Sequence, residues 1–338
     1  MARRCTEQEI GQACWIRTST IQDAACLTLV AGGGIRQTAA AFGAVQESGR
    51  ELDIDDFCEE AFAHQERYPM IAVRSLGDWQ LVVEDAGGQG RRPEVLRRAS
   101  ARTKAVSIYW DVQGECSFSY AAGGKVRVSF EPALPEYREG TNPDLLDSLL
   151  TGLPWEGVDP VPVMLALAGR VTGLPATEAW LSGSFWTFPV AAWPDDPPAI
   201  VHPDPDVCPP RLAELASRSG PHQLRQAALQ VARHVLARTD CLEHPLVVRT
   251  LRLLTVGSRV DRGLLDELFR QWHWESIQQR PVSIARNQVR AVQVLRQATG
   301  EEPLTALLAV LAAAREVRGV RAEELVALAT AALRGTGF

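Results

Sequence analysis

The chain has 338 residues, of which 46% are hydrophobic and 22% charged, and these proportions exclude a largely disordered protein. Its length exceeds that at which single hydrophobic cores usually stop growing, which favours two domains. The net charge of −6 combines an acidic part, residues 1–210, with 17 basic and 29 acidic side chains, and a basic part, residues 211–338, with 18 and 12.

The first part of the chain alternates short β-type runs with short helical segments. A strand at 25–30 and a triple-glycine turn precede a helix at 35–42 that ends at Gly43, and a second helix is predicted at 55–65. Further strands are predicted at 70–73, 79–83, 105–112, 117–121 and 125–130, joined by short glycine-containing turns. A helix beginning at Pro93 separates the second of these strands from the third. We therefore predict an α+β fold with a mainly antiparallel sheet covered by helices.

Helical periodicity dominates the rest of the chain. Helices are predicted around 143–146 and at 163–171, and seven prolines then lie between Trp193 and Pro210, too many for a helix or a central strand. Beyond the prolines we predict helices at 224–235, 246–254, 264–272, 284–295, 304–314 and 325–333. The sequence thus predicts an α+β domain at 1–192, a Pro-rich linker at 193–210 and an all-α helical domain at 211–338.

Three features of the sequence indicate where in the cell the protein is located: its N-terminus, its apolar runs and its cysteines. Glu7 and Glu9 interrupt any apolar segment of a signal peptide, and the longest apolar stretch, 304–314, is about half of a membrane span. Seven scattered cysteines without a Cys-x-x-Cys pair are unlike a disulfide framework or a zinc ribbon. We expect a cytoplasmic protein without a membrane span. We expect no metal site, because the prolines beside His202 and Cys208 keep the linker extended and its possible metal ligands apart. We also expect no cofactor.

Several short motifs in the first domain resemble a known family. Residues 12–185 resemble an actinobacterial family of proteins of unknown function. The segments that carry this resemblance are 26–30, 77–79, 83–84, 93–96, 106–107, 118–120 and 130–132. The resemblance implies kinship and transfers no catalytic residue.

A glycine-rich loop follows the predicted strand that ends near Glu84. Gly87, Gly88 and Gly90 are followed by Arg91 and Arg92 and by the helix that starts at Pro93. Backbone N–H groups in such loops can bind phosphate, and arginines add charge-assisted contacts. One alternative is therefore a nucleotide- or phosphate-dependent enzyme in which Glu84 or Asp111 supplies acid–base or metal chemistry. This hypothesis requires the glycine-rich loops of the domain to border one pocket, and plain turns are the competing interpretation.

Nine tryptophans are many for this length, and a cluster of aromatic residues precedes the linker. Trp180, Phe185, Trp186 and Trp193 are the predicted partner-binding residues, because tryptophan is enriched at interaction hot spots. An aromatic seam between domains is the competing interpretation. Since the chain lacks recognisable catalytic motifs, our leading hypothesis is a non-enzymatic binding or regulatory protein that presents an aromatic surface to a protein partner. The sequence does not indicate the oligomeric state.

The basic helical domain supplies a third hypothesis. Arg286, Arg290 and Arg296 lie on one predicted helix and could follow a phosphate backbone. No helix-turn-helix pattern surrounds them. Nucleic-acid binding is therefore a second alternative, which requires these arginines to share one exposed face.

Overall fold

The structure is a computed structural model that describes residues 2–194, 205–278 and 283–335. The chain folds into two compact units, residues 1–192 and 193–338. The predicted linker falls largely on 195–204, outside the described residues. Within the described part of the chain, no helix is both long enough and apolar enough to cross a bilayer.

The first unit is built on an eight-stranded sheet. Its strands are β1 Ala25–Ala31, β2 Arg50–Leu52, β3 Met70–Leu76, β4 Trp79–Asp85, β5 Lys104–Trp110, β6 Cys116–Ala122, β7 Lys125–Phe130 and β8 Phe185–Pro189. They pair in the order β2-β8-β3-β4-β1-β5-β6-β7, and every pairing is antiparallel. The predicted α+β fold with an antiparallel sheet is confirmed.

Helices cover both faces of this sheet. They are α1 Ala2–Ala13, α2 Ile35–Phe42, α3 Ile54–His64, α4 Pro93–Ala99, α5 Asp147–Leu150 and α6 Pro160–Thr172. The helix predicted around 143–146 begins only at Asp147, and the preceding residues form turns. Asp159 caps the N-terminus of α6, and Gly173 ends it in the left-handed conformation.

The two faces of the central strands differ in polarity because successive side chains of a strand point to opposite sides. Leu27 and Leu29 of β1 lie in the core that includes α6. Cys26 and Thr28 point to the opposite face, on the same side as Glu84 of β4 and Ser107 of β5. This polar patch lies in the middle of the sheet and is buried.

The second unit consists of helices. They are α7 Pro210–Ser217, α8 Pro221–Ala237, α9 Pro245–Thr255, α10 Arg262–Gln278, α11 Ser283–Ala298, α12 Pro303–Arg315 and α13 Ala322–Leu333. Leucine, valine and alanine side chains of α8 form the centre of the core, packed against α11, α12 and α13. The predicted helical character of this region is confirmed, with boundaries that extend a few residues beyond the apolar periods.

Candidate functional site

The glycine-rich loop at 86–92 is organised around a carboxylate of its own chain. Glu84 points to the polar face of the sheet, where its Oε2 accepts a hydrogen bond from the Gln89 N–H and its Oε1 accepts one from the Gly90 N–H, both at 2.7 Å. These are backbone donors of the kind that would hold a phosphate oxygen. Two donors of the predicted phosphate loop are therefore occupied by Glu84.

The glycines of this loop allow the backbone to approach the sheet closely. A Cβ atom on Gly90 would collide with the Thr28 hydroxyl and lie 2.9 Å from the Cys26 sulfur. A Cβ atom on Gly87 would lie 2.8 Å from Cβ of Glu84. Contacts this short exclude any larger residue without a local rearrangement. Packing of the loop onto its own sheet thus explains Gly87 and Gly90, whereas a Cβ atom on Gly88 would meet nothing closer than 3.5 Å.

Glu84 belongs to a closed cluster of buried polar groups. The Cys26 sulfur lies 3.4 Å from the Ser107 hydroxyl oxygen, which accepts a hydrogen bond from the Thr28 hydroxyl at 3.3 Å. Burial raises the pKa of Glu84 to about 7, although hydrogen bonds from the Gly90 and Gln89 N–H groups oppose the rise. Burial, reinforced by the charge of Glu84, also raises the pKa of the Cys26 thiol. The thiol is therefore not poised as a nucleophile at neutral pH.

Both arginines of the loop already have partners. The Arg91 guanidinium lies 4.1 Å from the centre of the Tyr109 ring and forms an ion pair with Glu115 at 2.6 Å. Arg92 donates to the Gln89 side chain at 2.7 Å and forms an ion pair with Glu94. These contacts fasten the loop to β5, to the turn before β6 and to α4.

The two glycine-rich loops lie at opposite ends of the central strands. Ala25 pairs with Asp85 at one end of β1, and Ala31 pairs with Trp79 at the other. The loop at 86–92 therefore lies beside the start of β1, whereas Gly32 and Gly33 follow its end. The two glycine-rich loops do not border a single pocket, although the phosphate-dependent enzyme hypothesis requires that they do.

Two of the four predicted partner-binding residues lie in the core of the first unit. Trp180 is 3% exposed and donates its indole N–H to the Pro175 carbonyl at 3.0 Å. Phe185 is 1% exposed and packs in the same core cluster as Trp180. Their rings contribute to the stability of the unit and do not form its surface.

Trp186 has a different environment because it is the next residue of β8 and points to the other face of the sheet. Its ring is partly exposed and stacks on Phe188 with a centroid distance of 6.4 Å and an interplanar angle of 22°. The guanidinium of the exposed Arg36 lies 5.7 Å from the ring centre. Across the sheet, Trp186 pairs with the exposed Glu51 of β2. We call Arg36, Glu51 and Trp186 the Trp186 surface.

Trp193, the fourth predicted residue, belongs to the second unit. Its ring is partly buried, and the Arg270 guanidinium lies 4.4 Å from its centre. The four predicted aromatic residues thus separate into two core residues, one surface residue of the first unit and one residue of the second.

Comparison with known proteins identifies the first unit. The model of a family of unknown function, DUF6461, matches residues 12–197, which is more than half of the chain. The chain belongs to the DUF6461 family. No curated protein and no solved structure matches it. The DUF6461 region contains the glycine-rich loop, the buried polar cluster and the Trp186 surface.

Sequence reasoning missed the polar partners of Glu84 in the DUF6461 region. Cys26 and Thr28 lie at alternate positions of a strand that is otherwise apolar, and Ser107 interrupts a second apolar strand. Polar residues at every second position of a buried strand indicate a polar face. This alternation in the sequence could have predicted a polar face of the sheet. The strand pairing that brings these residues to Glu84 joins distant parts of the chain and cannot be predicted from neighbouring residues.

The arginines outside the DUF6461 region do not form one row. Arg286 and Arg290 are exposed, and Arg290 donates to the Glu316 carbonyl at 2.5 Å. Arg296 is 2% exposed, and its Nε lies 2.5 Å from Asp266. An α-helix turns by about 100° per residue, so the six steps from Arg290 to Arg296 amount to about 600°. The Arg290 and Arg296 side chains thus lie about 240° apart around the helix axis. Arg296 therefore cannot follow the same phosphate backbone.

Among the described residues, no group of three or more His, Cys, Asp or Glu side chains is arranged to hold a metal ion. His202 and the neighbouring acidic positions up to Asp204 lie outside those residues.

Proposed function

We propose that this DUF6461 protein is a non-enzymatic binding protein whose first unit presents the Trp186 surface to a protein partner. The observation that carries the proposal is that Trp186 is partly exposed while its ring contacts both Phe188 and Arg36. We expect the protein to act in the cytoplasm, and we expect an actinobacterial source.

A partly exposed tryptophan whose ring already contacts neighbouring side chains is suited to binding because its side-chain freedom is restricted before the partner arrives. A partner that covers the ring gains apolar burial without the full entropic cost of ordering that side chain. Tryptophan and arginine are also the residue types that most often dominate interface energies. Arg36 and Glu51 place opposite charges beside the ring, so a partner with complementary charges would be oriented on it.

The glycine-rich loop supports a structural role better than a catalytic one. Phosphate binding by this loop would require Glu84 to leave the Gln89 and Gly90 N–H groups. Glu84 is completely buried and cannot reach a substrate without opening of the loop. For this reason we do not propose the phosphate-dependent enzyme.

The test is affinity enrichment of the tagged full chain from a lysate of its source, quantified by mass spectrometry. We expect at least one protein to be recovered with the wild type and lost with Trp186→Ala and with Arg36→Glu. Tyr137→Ala is the matched control, because Tyr137 is 72% exposed and follows β7, at the opposite edge of the sheet. This variant should retain the same protein.

Thermal unfolding separates binding from stability. Arg36 is exposed, so Arg36→Glu should unfold within a few degrees of the wild type and report on binding alone. The proposal is wrong if no recovered protein depends on either Trp186 or Arg36. It is also wrong if Tyr137→Ala loses the same proteins.

A further inference from the structure

The second unit contains a cleft of about 770 Å³ that shares no residue with the Trp186 surface. It lies between the segment at 257–261 that joins α9 to α10, the first two residues of α10, the turn at 299–301 between α11 and α12, and one side of α8. Small-molecule sites commonly occupy roughly 300–1,000 Å³. The cleft is therefore large enough for a ligand of metabolite size.

Cationic side chains dominate the charge of this cleft. Arg225, Arg259 and Arg262 line it together with two carboxylates, Asp261 and Glu301. One Asp261 oxygen is already engaged, because it accepts a hydrogen bond from the Gly263 N–H at 2.9 Å. The lining thus carries an excess of positive charge, to which the N-terminus of α10, a helix of 17 residues, adds a partial positive charge.

Arg262 distinguishes this cleft from an ordinary basic surface. Its Nε and Nη2 atoms are buried, and neither has a hydrogen-bond partner among the residues that the structure describes. The nearby Asp266 is engaged by Arg296, whose Nε lies 2.5 Å away. Buried guanidinium nitrogens without an acceptor are unfavourable, and a small movement of the Arg262 side chain into the cleft would let a ligand supply the acceptor.

We propose that this cleft binds a phosphorylated small molecule, whose phosphate oxygens accept hydrogen bonds from Arg262. A guanidinium presents parallel N–H donors that match two oxygens of one phosphate group. Arg225 and Arg259 are exposed and line the same cleft, although Nη2 of Arg225 donates to the Glu301 carbonyl at 3.2 Å. The concave shape favours a compact anion over an extended nucleic-acid strand, which would need a row of exposed arginines.

Isothermal titration calorimetry tests the proposal. The full chain is titrated with inorganic phosphate at a constant ionic strength set with chloride. We expect saturable binding that Arg262→Gln weakens at least about tenfold, as expected for the loss of charge-assisted hydrogen bonds. Arg218→Gln is the matched control, because it removes the same charge from a side chain that is 78% exposed and outside the cleft. This control should bind as the wild type does.

Three further measurements keep the proposal open to refutation. If Arg262→Gln does not fold, the double variant Arg225→Gln/Arg259→Gln replaces it, and weaker phosphate binding by that variant supports the proposal. Wild-type affinity in either folded variant overturns it, as does the absence of saturable binding. Equal affinity for succinate overturns the preference for phosphate, and tighter, steeply salt-dependent binding of an oligonucleotide overturns the small-molecule assignment.

Discussion

Replacing Glu84 with glutamine should change how the stability of the first unit depends on pH. The native pKa of Glu84 is raised to about 7 from 4.5, mainly because the carboxylate is completely buried. The native state therefore holds the Glu84 proton more tightly than the unfolded state does. Protonation of Glu84 stabilises the fold at pH 4.5 and below, and this stabilisation is lost as the pH rises to 7 and beyond.

The size of the effect follows from the two pKa values. Between pH 5 and pH 8, the titration of Glu84 should lower the free energy of unfolding by roughly 2.5 kcal/mol. In Glu84→Gln this titration is absent. Glutamine also places an NH₂ group against a backbone N–H of Gln89 or Gly90, which costs about 1–3 kcal/mol at every pH. The advantage of the wild type over the variant should therefore shrink by roughly 2.5 kcal/mol from pH 5 to pH 8.

Urea unfolding followed by tryptophan fluorescence measures this difference, because six of the nine tryptophans lie in residues 1–192. Taking the difference between wild type and variant cancels the titration of all other groups. A difference that stays constant with pH would refute the raised pKa. A difference that grows with pH would mean that the two N–H hydrogen bonds outweigh the cost of burial.

Three more predictions concern packing, charge and reactivity. Gly90→Ala should lower the free energy of unfolding by about 1–3 kcal/mol because its Cβ has no room. Gly34→Ala, with nothing within 4 Å, should lower it by no more than about 1 kcal/mol in urea unfolding, which is the cost of alanine at the N-cap of α2. Asp266→Asn should cost about 3–5 kcal/mol because it leaves the buried Arg296 without its counter-charge, measured as the thermal loss of helical circular dichroism. Cys26 is buried and its thiol pKa is raised, so iodoacetamide should label it only after unfolding, as peptide mapping by mass spectrometry would detect.

For each of these three predictions, one result would refute the reasoning. Equal effects of alanine at Gly90 and Gly34 would refute the close approach of the loop to the sheet. A cost below about 1 kcal/mol for Asp266→Asn would mean that Arg296 reaches water in the native state. Rapid labelling of Cys26 in the folded protein would show that the loop opens readily.

Much of the fold could be predicted because its signals are local. The hairpin of β3 and β4 has its turn at Gly77, and the meander of β5, β6 and β7 has alternating apolar residues and short glycine turns. Apolar periodicity likewise located six helices of the second unit. Each of these features depends on residues that are close together in the chain.

The candidate sites depend on pairings between distant residues and were less accessible. The sequence of β8 indicates only an aromatic cluster, since five residues ending in proline give little strand signal. Only its insertion between β2 and β3 places Phe185 in the core and Trp186 outside. Glu84 is recognisable as a strand-end carboxylate, but the loop donors that surround it become visible only in three dimensions. In the same way, helical spacing alone does not reveal that Arg296 is paired with Asp266.

The two edges of the sheet differ in a way that bears on aggregation. Beyond β7, Ser129 and Glu139 exchange two backbone hydrogen bonds, and the N–H groups of Thr141 and Asn142 also bond to β7, so this edge is largely covered by the chain itself. The other edge is β2, which has only three residues and carries the charged Arg50 and Glu51. Short, charged edge strands are poor templates for another chain. The protein should therefore resist edge-to-edge polymerisation at high concentration, even though its sheet is open rather than closed into a barrel.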